Sequence, residues 1–569
     1  MELIFLIGVV ALASWKLRPR RGAVDPASLI GPVASSPTTV WGVVAPLARA
    51  ETRRVLLHPA FIVGVLLTPL MLVAATSDPE SWRAVSGGVA LGLVPLGWMT
   101  IIASNLVALR PSRSGTEELL AALPAPQSTR TSAMLATVVG PTVIAAVFAV
   151  ASLVLVGRGT TVLSGSPEPL ETLAGILIVA GAVTVGVAVA RWLPGGGWGI
   201  AAVFVVIFLQ ARFLDVTTWP WNRPQGDPMR FIGFLAEGTN AGVNFLEFRP
   251  AGWHLVYLAA LSVLMGGVAL ARDGLRRNVR ILVGGALAIA LAAGWIQTRP
   301  MSEAQVTARV SFLLDPAEHQ VCEQADDVTY CAYQDFLVDV PDWIDRVGAT
   351  LAALPTDARV RRPPLEVRQR PAIVISDSDC SPAGYLTTLT SDIASRIPVD
   401  DLWPADGAVH PPFGTDHFPC SSRGAFGFFL AVQTGAWAVG LPPAPHGANV
   451  RCVASGQARS AIALWAAAAA SPDGERTLRD VTNDGSRGFP LIDFADWDSP
   501  PTWGVDYAVA DAGLAVEMLG VAPGDVRDVL TADWDQWIDP ATTTETLAAE
   551  LGLPAPSLTI GSSSRSKCP

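Results

Sequence analysis

Two acidic side chains beside a predicted strand are the first candidates for chemistry in this sequence. Asp377 and Asp379 follow the apolar run AIVIS, and two carboxylates at the end of a strand could hold a divalent cation. The same pair lies beside Cys380, in a polar SDSDC segment that is typical of a turn. We therefore interpret these carboxylates as turn-capping groups rather than as a metal site.

Two histidines and a carboxylate form a second candidate set. His410, Asp416 and His417 occur in HPPFGTDHFPC, and imidazole and carboxylate groups are common zinc ligands. The three prolines of this segment and the adjacent Cys420 favour a loop held by a disulfide bond instead. We therefore expect no metal centre here.

Motifs that organise catalysis are absent from the sequence. It contains neither HExxH nor GxSxG, so neither a zincin nor an α/β-hydrolase is predicted. Its two lysines, Lys16 and Lys567, do not follow a glycine-rich loop, which excludes a GxxxxGK[ST] phosphate-binding loop. Trp534, Asp535 and Trp537 could line a ligand site, although packing of aromatic side chains explains them equally well. The chain is expected to be no enzyme and to need no cofactor.

All six cysteines lie in the C-terminal half. Cytosolic thiols are kept reduced, so cysteines confined to one segment of a membrane protein favour disulfide bonds in an oxidising, extracytoplasmic compartment. Cys322 and Cys331 in VCEQADDVTYC are spaced to close a local hairpin. The remaining cysteines allow three pairings, between which the sequence does not choose: Cys380, Cys420, Cys452 and Cys568. A zinc site is the competing interpretation, but no CxxC or HxxxH spacing accompanies the cysteines.

Composition is typical of a membrane protein. The 569 residues have a positive mean hydropathy, and only 16% of them are charged. These values favour a polytopic helical protein over a set of soluble domains. The net charge of −11 arises mainly after residue 300, whereas basic residues cluster in short segments between apolar runs. No nucleic-acid-binding surface is therefore predicted.

Long apolar runs predict membrane-crossing helices, because about 20 helical residues match the roughly 30 Å hydrocarbon core of a bilayer. Seven spans are predicted, at 60–76, 87–109, 134–156, 171–190, 197–213, 253–271 and 281–297. A further run, 3–15, is shorter than a full crossing, and we interpret it as an uncleaved anchor within an N-terminal segment, 1–45, that ends in a cytoplasmic linker. The predicted fold class is an α-helical polytopic membrane protein with seven or eight transmembrane helices.

The distribution of positive charge gives the spans a direction. Fifteen Lys and Arg residues lie in the segments 16–58, 110–133, 191–196 and 272–280, whereas six lie in the alternate short segments or, as Arg212 does, at the end of the span before one of them. The positive-inside rule puts the richer set in the cytoplasm. Because seven spans separate the first of these segments from residue 298, residues 298–569 are then outside the plasma membrane. The cysteines independently require the same compartment.

The spans are interpreted as free of carboxylate and lysine, with Asn105, Gln210 and His254 as their nearest polar features. Ion-coupled transporters need ionisable groups inside the membrane, despite the energetic cost of placing them there. Coupling to an ion gradient is therefore disfavoured. An apolar route driven by the nucleotide cycle of a partner remains open.

A basic amphipathic segment precedes the first of these spans. In PLARAETRRVLLHPA (46–60), Pro46 suits a first helical position, and Arg49, Arg53 and Arg54 recur on one side. This pattern predicts a helix over 46–57 that lies at the membrane surface. The alternative is positive charge that merely flanks a span.

The loop 110–133, RPSRSGTEELLAALPAPQSTRTSA, contains a capping signal. Ser114 and Glu117 form an S-x-x-E capping box, and Glu117 and Glu118 add negative charge where a helix N-terminus favours it. We therefore predict a short helix over 115–123 that ends at Pro124. An ordinary capped helix between spans and a docking element for a cytoplasmic partner are both compatible with this pattern.

Together, PLARAETRRVLLHPAFIVGVLLTP and SRSGTEELLAALPAPQSTRTSAMLATVVGP resemble ABC-2-type permease subunits of actinobacterial ABC transporters, over about residues 46–297. The resemblance implies a dimer of permease chains with a separate cytoplasmic ATPase subunit bound to 46–57 and 111–126. The residues that it assigns to this docking are Arg49, Arg53, Arg54, Arg113, Glu117 and Glu118. Three features depart from the family's usual six spans with both termini inside: the seventh span, the N-terminal anchor and an extracytoplasmic outer domain, residues 298–569.

Residues 298–569 are predicted to form a disulfide-bonded extracytoplasmic domain of mixed α/β type. QVTARVSFLL (305–314) alternates, and PPLEVRQRPAIVIS (363–376) offers two short extended runs, which predict strands. Helical patterns follow at 384–396, 424–438, 457–470, 506–519, 525–532 and 543–551. The apolar stretch 424–441 is nearly long enough to span, but we interpret it as a buried core helix.

These observations lead to two functional hypotheses, and an extracytoplasmic membrane enzyme, for which the sequence offers no organising motif, is the least favoured third. The first is a permease-type subunit of an ABC transporter that exports an unidentified amphipathic or apolar substrate, with membrane lipid, a second permease chain and an ATPase subunit as partners. The second is a membrane-anchored extracytoplasmic binding or sensing protein without transport activity.

Overall fold

The structure is a computed structural model. The residues that it describes are 40–76, 82–116, 126–159, 163, 165–213, 232–233, 250–360, 362–369, 425–441, 452–454, 456–470, 472–483, 505–506 and 509–555. The predicted anchor at 3–15, the second run of 363–376 and the predicted helix 384–396 lie outside this part of the chain.

Helices dominate the N-terminal half. In chain order they are α1 (Val40–Leu56), α2 (Pro59–Thr76), α3 (Trp82–Gly92), α4 (Val94–Ala108), α5 (Arg110–Arg113), α6 (Gln127–Leu135), α7 (Val139–Gly157), α8 (Pro169–Trp192), α9 (Trp198–Phe213), α10 (Ala251–Ala271) and α11 (Arg277–Gln297). A 3-10 turn over Ala136–Val138 joins α6 to α7. Helix α8 is central, because it packs against α3, α4, α7 and α10.

Six helical segments of the described chain are long and apolar enough to cross a membrane: Pro59–Thr76, Val85–Ala108, Gln127–Gly157, Pro169–Trp192, Ala251–Ala271 and Arg277–Gln297. They coincide with six of the seven predicted spans. The remaining one, 197–213, corresponds to α9, whose apolar part, Trp198–Gln210, is too short to be counted with the six. The structure is thus that of a multi-pass membrane protein.

Two prolines mark the irregular points of the long spans. Helices α3 and α4 meet at Leu93, two residues before Pro95, and the 3-10 turn Ala136–Val138 lies just before Pro141. A proline has no backbone N–H to donate to the carbonyl four residues earlier, so the helix is interrupted or tightened at these positions. Pro69, by contrast, lies inside α2 without a break.

The bundle has two ends, which we call basal and distal. At the basal end, the last turn of α8 and the loop after α10 meet α6, through Arg191, Asp273 and Thr131. At the distal end, Glu168 N donates to Ser86 Oγ at 3.0 Å, and the His254 ring lies 3.2 Å from the Gln297 amide oxygen. Since α8 ends basally and α10 begins distally, the chain passes between the two ends over residues 193–250.

The C-terminal half begins at the distal end, directly after α11. Its helices are α12 (Glu303–Leu314), α13 (Val340–Ala353), α14 (Asp357–Val360), α15 (Ala425–Val439), α16 (Ala458–Ala469), α17 (Pro472–Asn483), α18 (Val509–Met518), α19 (Pro523–Ala532), α20 (Trp534–Ile538) and α21 (Thr544–Glu550). The strands are β1 (Gln320–Ala325), β2 (Val328–Tyr333), β3 (Glu366–Arg368), β4 (Cys452–Val453) and β5 (Val505–Asp506). The described part of this domain is therefore mainly helical, with small sheets.

The predicted hairpin around Cys322 and Cys331 is confirmed. Strands β1 and β2 pair antiparallel, with β3 added parallel to β2. Asp326 and Asp327, the two turn residues, have φ values of 48° and 64°, as expected for a tight two-residue hairpin turn. The two cysteines face each other in the register, and their sulfur atoms form a disulfide bond.

The predicted strand over 305–314 is wrong, because these residues belong to helix α12. Ser302 caps this helix: its hydroxyl accepts from Gln305 N, and the Gln305 side chain accepts from Ser302 N at 2.9 Å. This reciprocal capping box satisfies donors at the helix N-terminus. The apolar residues recur at Val306, Val310 and Phe312–Leu314, a spacing that fits a helical face as well as an alternating strand.

The stretch 424–441 forms the predicted core helix. Helix α15 packs so closely on α16 that a Cβ atom at Gly435 would lie 2.7 Å from the carbonyl oxygen of Ala463. Trp465 of α16 is 1% exposed. One hydrophobic cluster joins β2, α13, α15, α16, α18 and the helices that follow, so the domain has a core of its own.

Candidate functional site

The basic helix before the first span has two distinct faces. In α1, Val44 and Val55 are buried, whereas Arg49, Arg53 and Arg54 are exposed. Its buried face lies on α6 and the 3-10 turn, and a Cβ atom at Gly140 would lie 2.6 Å from the Thr52 methyl group. The predicted helix over 46–57 is thus present, but it begins at Val40, so Pro46 lies inside it rather than at its first position.

The junction between α1 and the first span is closed by His58. Its ring Nδ1 accepts from Ala60 N at 3.2 Å, at the start of α2. Only the neutral imidazole has a nitrogen that can accept. Burial lowers the pKa of His58, which favours this neutral form.

The loop after α4 differs from the predicted capping box. Ser114 ends the short helix α5: its hydroxyl donates to the Arg110 carbonyl oxygen at 2.9 Å, and its φ and ψ are −88° and 0°. An N-cap residue instead has an extended backbone, so Ser114 does not begin a helix. Gly115 follows with a φ of +65°, a left-handed conformation that glycine adopts without strain.

The candidate docking residues lie on the basal end as far as they are described. Arg49, Arg53 and Arg54 project from α1, and Arg113 is exposed at the end of α5. The Arg113 guanidinium carbon is 4.0 Å from the position of a Cβ atom on Gly196, which places it beside the α8–α9 turn. Glu117 and Glu118 lie outside the described residues.

A buried ion pair, which the sequence analysis did not identify, lies beneath this surface. The Asp273 carboxylate pairs with the Arg191 guanidinium through one oxygen and accepts from the Thr131 hydroxyl at 2.5 Å through the other. The Asp273 side chain is only 3% exposed. Arg191 also reaches the Gln127 side chain, whose amide oxygen accepts at 2.6 Å in its favoured orientation. Thr131, Arg191 and Asp273 form what we call the basal cluster.

A second set of contacts holds the loop after α10 in place. Trp192, the last residue of α8, donates from its indole nitrogen to the Val268 carbonyl oxygen at 2.9 Å. The Arg272 guanidinium lies 5.8 Å from the centre of the Trp192 ring, a cation–π distance. The ends of α8 and α10 are therefore fixed to each other beside the basal cluster.

The expectation that the spans lack carboxylates is wrong. Glu171, in the first turn of α8, is 6% exposed, and Arg83, in the first turn of α3, is buried to the same degree. The Gly87 Cβ position lies 4.0 Å from a Glu171 carboxylate oxygen. Both side chains lie among packed helices at the distal end, so composition does not argue against coupling to an ion gradient.

The candidate enzymatic groups gain no support from the described residues. Trp534 and Trp537 are core side chains, and the Trp537 indole donates to the Val529 carbonyl oxygen at 3.0 Å. Among the residues that the structure describes, no group of three or more His, Cys, Asp and Glu side chains is arranged to hold a metal ion. Asp377, Asp379, His410, Asp416 and His417 lie outside them, as do Cys380, Cys420 and Cys568.

Comparisons of this chain with protein-family models, curated proteins and solved structures find no match. The interpretation of the basal surface therefore depends on its geometry and charge.

Proposed function

We propose that this chain is the permease-type transmembrane subunit of an ABC transporter, with a separate ATPase subunit bound to the basal end. One observation carries the proposal. The two segments to which the sequence resemblance assigns ATPase contact, 46–57 and 111–126, flank a common basal surface in their described parts, and the arginine face of α1 is exposed there.

The charge of this end supports a cytoplasmic orientation. Exposed arginines lie on α1, on α5, on the loop that leads into α11 and in the first turn of α11, all at the basal end: Arg49, Arg53, Arg54, Arg110, Arg113, Arg272, Arg276, Arg277 and Arg280. Arginine is enriched in cytoplasmic segments of membrane proteins. The disulfide-bonded domain begins at the opposite end, in agreement with an oxidising exterior.

The outer faces of several helices favour lipid and a second permease chain as further contacts. Leu66, Leu70, Val147 and Ile289 are each more than half exposed, on α2, α7 and α11. Apolar side chains of this kind are stable against hydrocarbon or against another apolar helix. The substrate would be amphipathic or apolar, and ATP-driven movement of the basal end would reorient the spans for export.

Copurification tests the proposal. The full chain, expressed with an ATPase subunit encoded beside it, should retain that subunit in mild detergent. The double substitution Arg53→Glu/Arg54→Glu should abolish retention, because it reverses charge on the exposed face of α1 without changing its buried residues. Arg158→Glu, at the exposed distal end of α7, is the matched control and should retain the subunit. Equal retention by the α1 variant would contradict the proposed surface.

The self-contained core of the C-terminal domain is the observation that favours the second candidate, an extracytoplasmic binding or sensing protein. This candidate predicts that no ATPase subunit is retained by the full chain. It is supported if a ligand nevertheless shifts the thermal unfolding of the full-length protein and protects residues after 320 from hydrogen exchange.

A further inference from the structure

The basal cluster joins three parts of the bundle through one side chain. Thr131 belongs to α6, Arg191 to the last turn of α8, and Asp273 to the loop between α10 and α11. Because each carboxylate oxygen of Asp273 has a different partner, the two contacts form at the same time. A displacement of α6 therefore acts directly on α8 and on the loop between α10 and α11.

Helix α1 packs on α6 and on the 3-10 turn that joins α6 to α7. At the start of α7, the Thr52 methyl group lies so close to Gly140 that no side chain fits between them. Because packed interiors are close to incompressible, a displacement of α1 at this contact also displaces the element on which it packs. The exposed arginine face of α1 is thus connected, through α6, to the basal cluster.

The cluster is well suited to hold these elements together during a movement. The side chains of Asp273 and Thr131 are almost completely buried, and the Arg191 side chain is one-fifth exposed. In such surroundings water screens a charge poorly, and separating the pair would leave a buried carboxylate without its counter-charge. The three elements therefore move together more readily than they separate.

We propose that Asp273 is the positioning residue that transmits displacement of the basal surface to the spans. This inference rests on the proposed function, in which an ATPase subunit supplies the displacement through α1. Asp273 acts through its contacts with Thr131 and Arg191. It holds α6, α8 and the loop between α10 and α11 in one moving unit.

Hydrogen exchange of the full chain with its bound ATPase subunit, in lipid nanodiscs, tests the inference. In the wild-type complex, ATP with vanadate should change exchange in α1 and α6 and also at the distal ends of α8 and α10. In Asp273→Asn, the change in α1 and α6 should remain, and the distal change should be lost. ATP hydrolysis and retention of the subunit should persist, which a merely misfolded variant would not show.

Two further variants keep the test decisive. Thr131→Val retains the shape of the side chain and the ion pair but removes the hydrogen bond from α6 to Asp273. It should therefore also lose the distal change, even if Asp273→Asn fails to fold. Arg276→Gln alters an exposed side chain of the same loop, outside the basal cluster and the contacts of Trp192, so it should respond like the wild type.

The outcomes distinguish a failure of the proposed function from a failure of the role proposed for Asp273. If the wild-type chain binds no ATPase subunit, the proposed function fails, and the inference fails with it. If the subunit binds but the distal change is absent from the wild type, or is unaltered in Thr131→Val and Asp273→Asn, the inference alone is overturned.

Discussion

Asn105 donates from its side-chain amide to the carbonyl oxygen of Gly186 at 3.3 Å, where α4 and α8 come into contact without an intervening side chain. A Cβ atom at Gly186 would overlap the Ser104 hydroxyl and lie 2.5 Å from the Ile101 carbonyl oxygen. Helix α8 can therefore approach α4 this closely only because residue 186 has no side chain.

Gly186→Ala should destabilise the bundle. Overpacking of a close contact costs about 1–3 kcal/mol, which exceeds the gain of roughly 0.5–1 kcal/mol expected when alanine replaces glycine within a helix. The expected result is a lower midpoint of thermal unfolding in detergent, followed by circular dichroism. Gly284→Ala in α11 is the control, since a Cβ atom there meets no atom within 4 Å. An equal effect of both substitutions would contradict the packing described.

The hairpin disulfide should report the orientation of the chain. Cys322 is exposed and Cys331 is buried, so reduction should free one thiol that is accessible to solvent. On intact cells, a membrane-impermeant maleimide should label the wild type more than the double variant Cys322→Ser/Cys331→Ala, but only after reduction. A difference that emerges only after lysis would place the C-terminal domain in the cytoplasm.

The stability around α13 should depend on pH through Asp339. Burial and the neighbouring Asp342 carboxylate raise the pKa of Asp339 to about 7, from an ordinary value of 3.8. Between these values the folded state binds more protons than the unfolded state, so stability should fall as pH rises from about 4 through 7. Protection of α13 from hydrogen exchange, corrected for the intrinsic rate at each pH, should therefore decrease from pH 5 to pH 8.

Asp339→Asn should remove this dependence, because the amide stays neutral throughout the range. Asp345→Asn, at an exposed position of the same helix, should retain it. Protection of α13 in the wild type that increases from pH 5 to pH 8 would show that the Asp339 carboxyl is not the controlling group.

The loop before α16 should depend on Asp511. This carboxylate is fully buried and accepts from Gly456 N at 3.1 Å and from the Thr544 hydroxyl at 2.8 Å. Asp511→Ala leaves both donors without this acceptor, and each buried unsatisfied group costs about 1–3 kcal/mol. Faster hydrogen exchange in α16 and α21 is the expected result. Asp528→Ala, on the exposed face of α19, should leave the exchange of both helices unchanged.

The long apolar helices and the disulfide-bonded hairpin were the most predictable parts of the fold. Each of the six helices that could cross a membrane overlaps a predicted span, because an apolar run of this length has few other stable conformations. The hairpin at Cys322 and Cys331 was predictable for a similar reason, since close spacing leaves little choice of partner. The strand predicted at 305–314 is a helix because its N-terminus is stabilised by the cap formed by Ser302 and Gln305, which outweighs the alternating pattern.

The candidate site was only partly predictable. Arg49 and Arg53 are four residues apart and Arg54 follows directly, so the common face of these side chains follows from helical periodicity. Asp273 and Arg191 are 82 residues apart, and neither lies in a local motif, so nothing in the sequence alone links them. The burial of Glu171 could not be predicted, because this residue lies at the edge of an apolar run, where a carboxylate is ordinarily solvated.

The distal loop between α7 and α8 also touches the C-terminal domain, since Gly165 N donates to the Asp335 carbonyl oxygen at 2.7 Å. Together with the covalent connection after Thr298, this bond attaches the C-terminal domain to the bundle at two points. A domain attached at one point can rotate in any direction, whereas one attached at two points rotates about the line that joins them. A tilt of α7 or α8 that keeps this hydrogen bond should therefore turn the C-terminal domain about the line through Gly165 and Thr298.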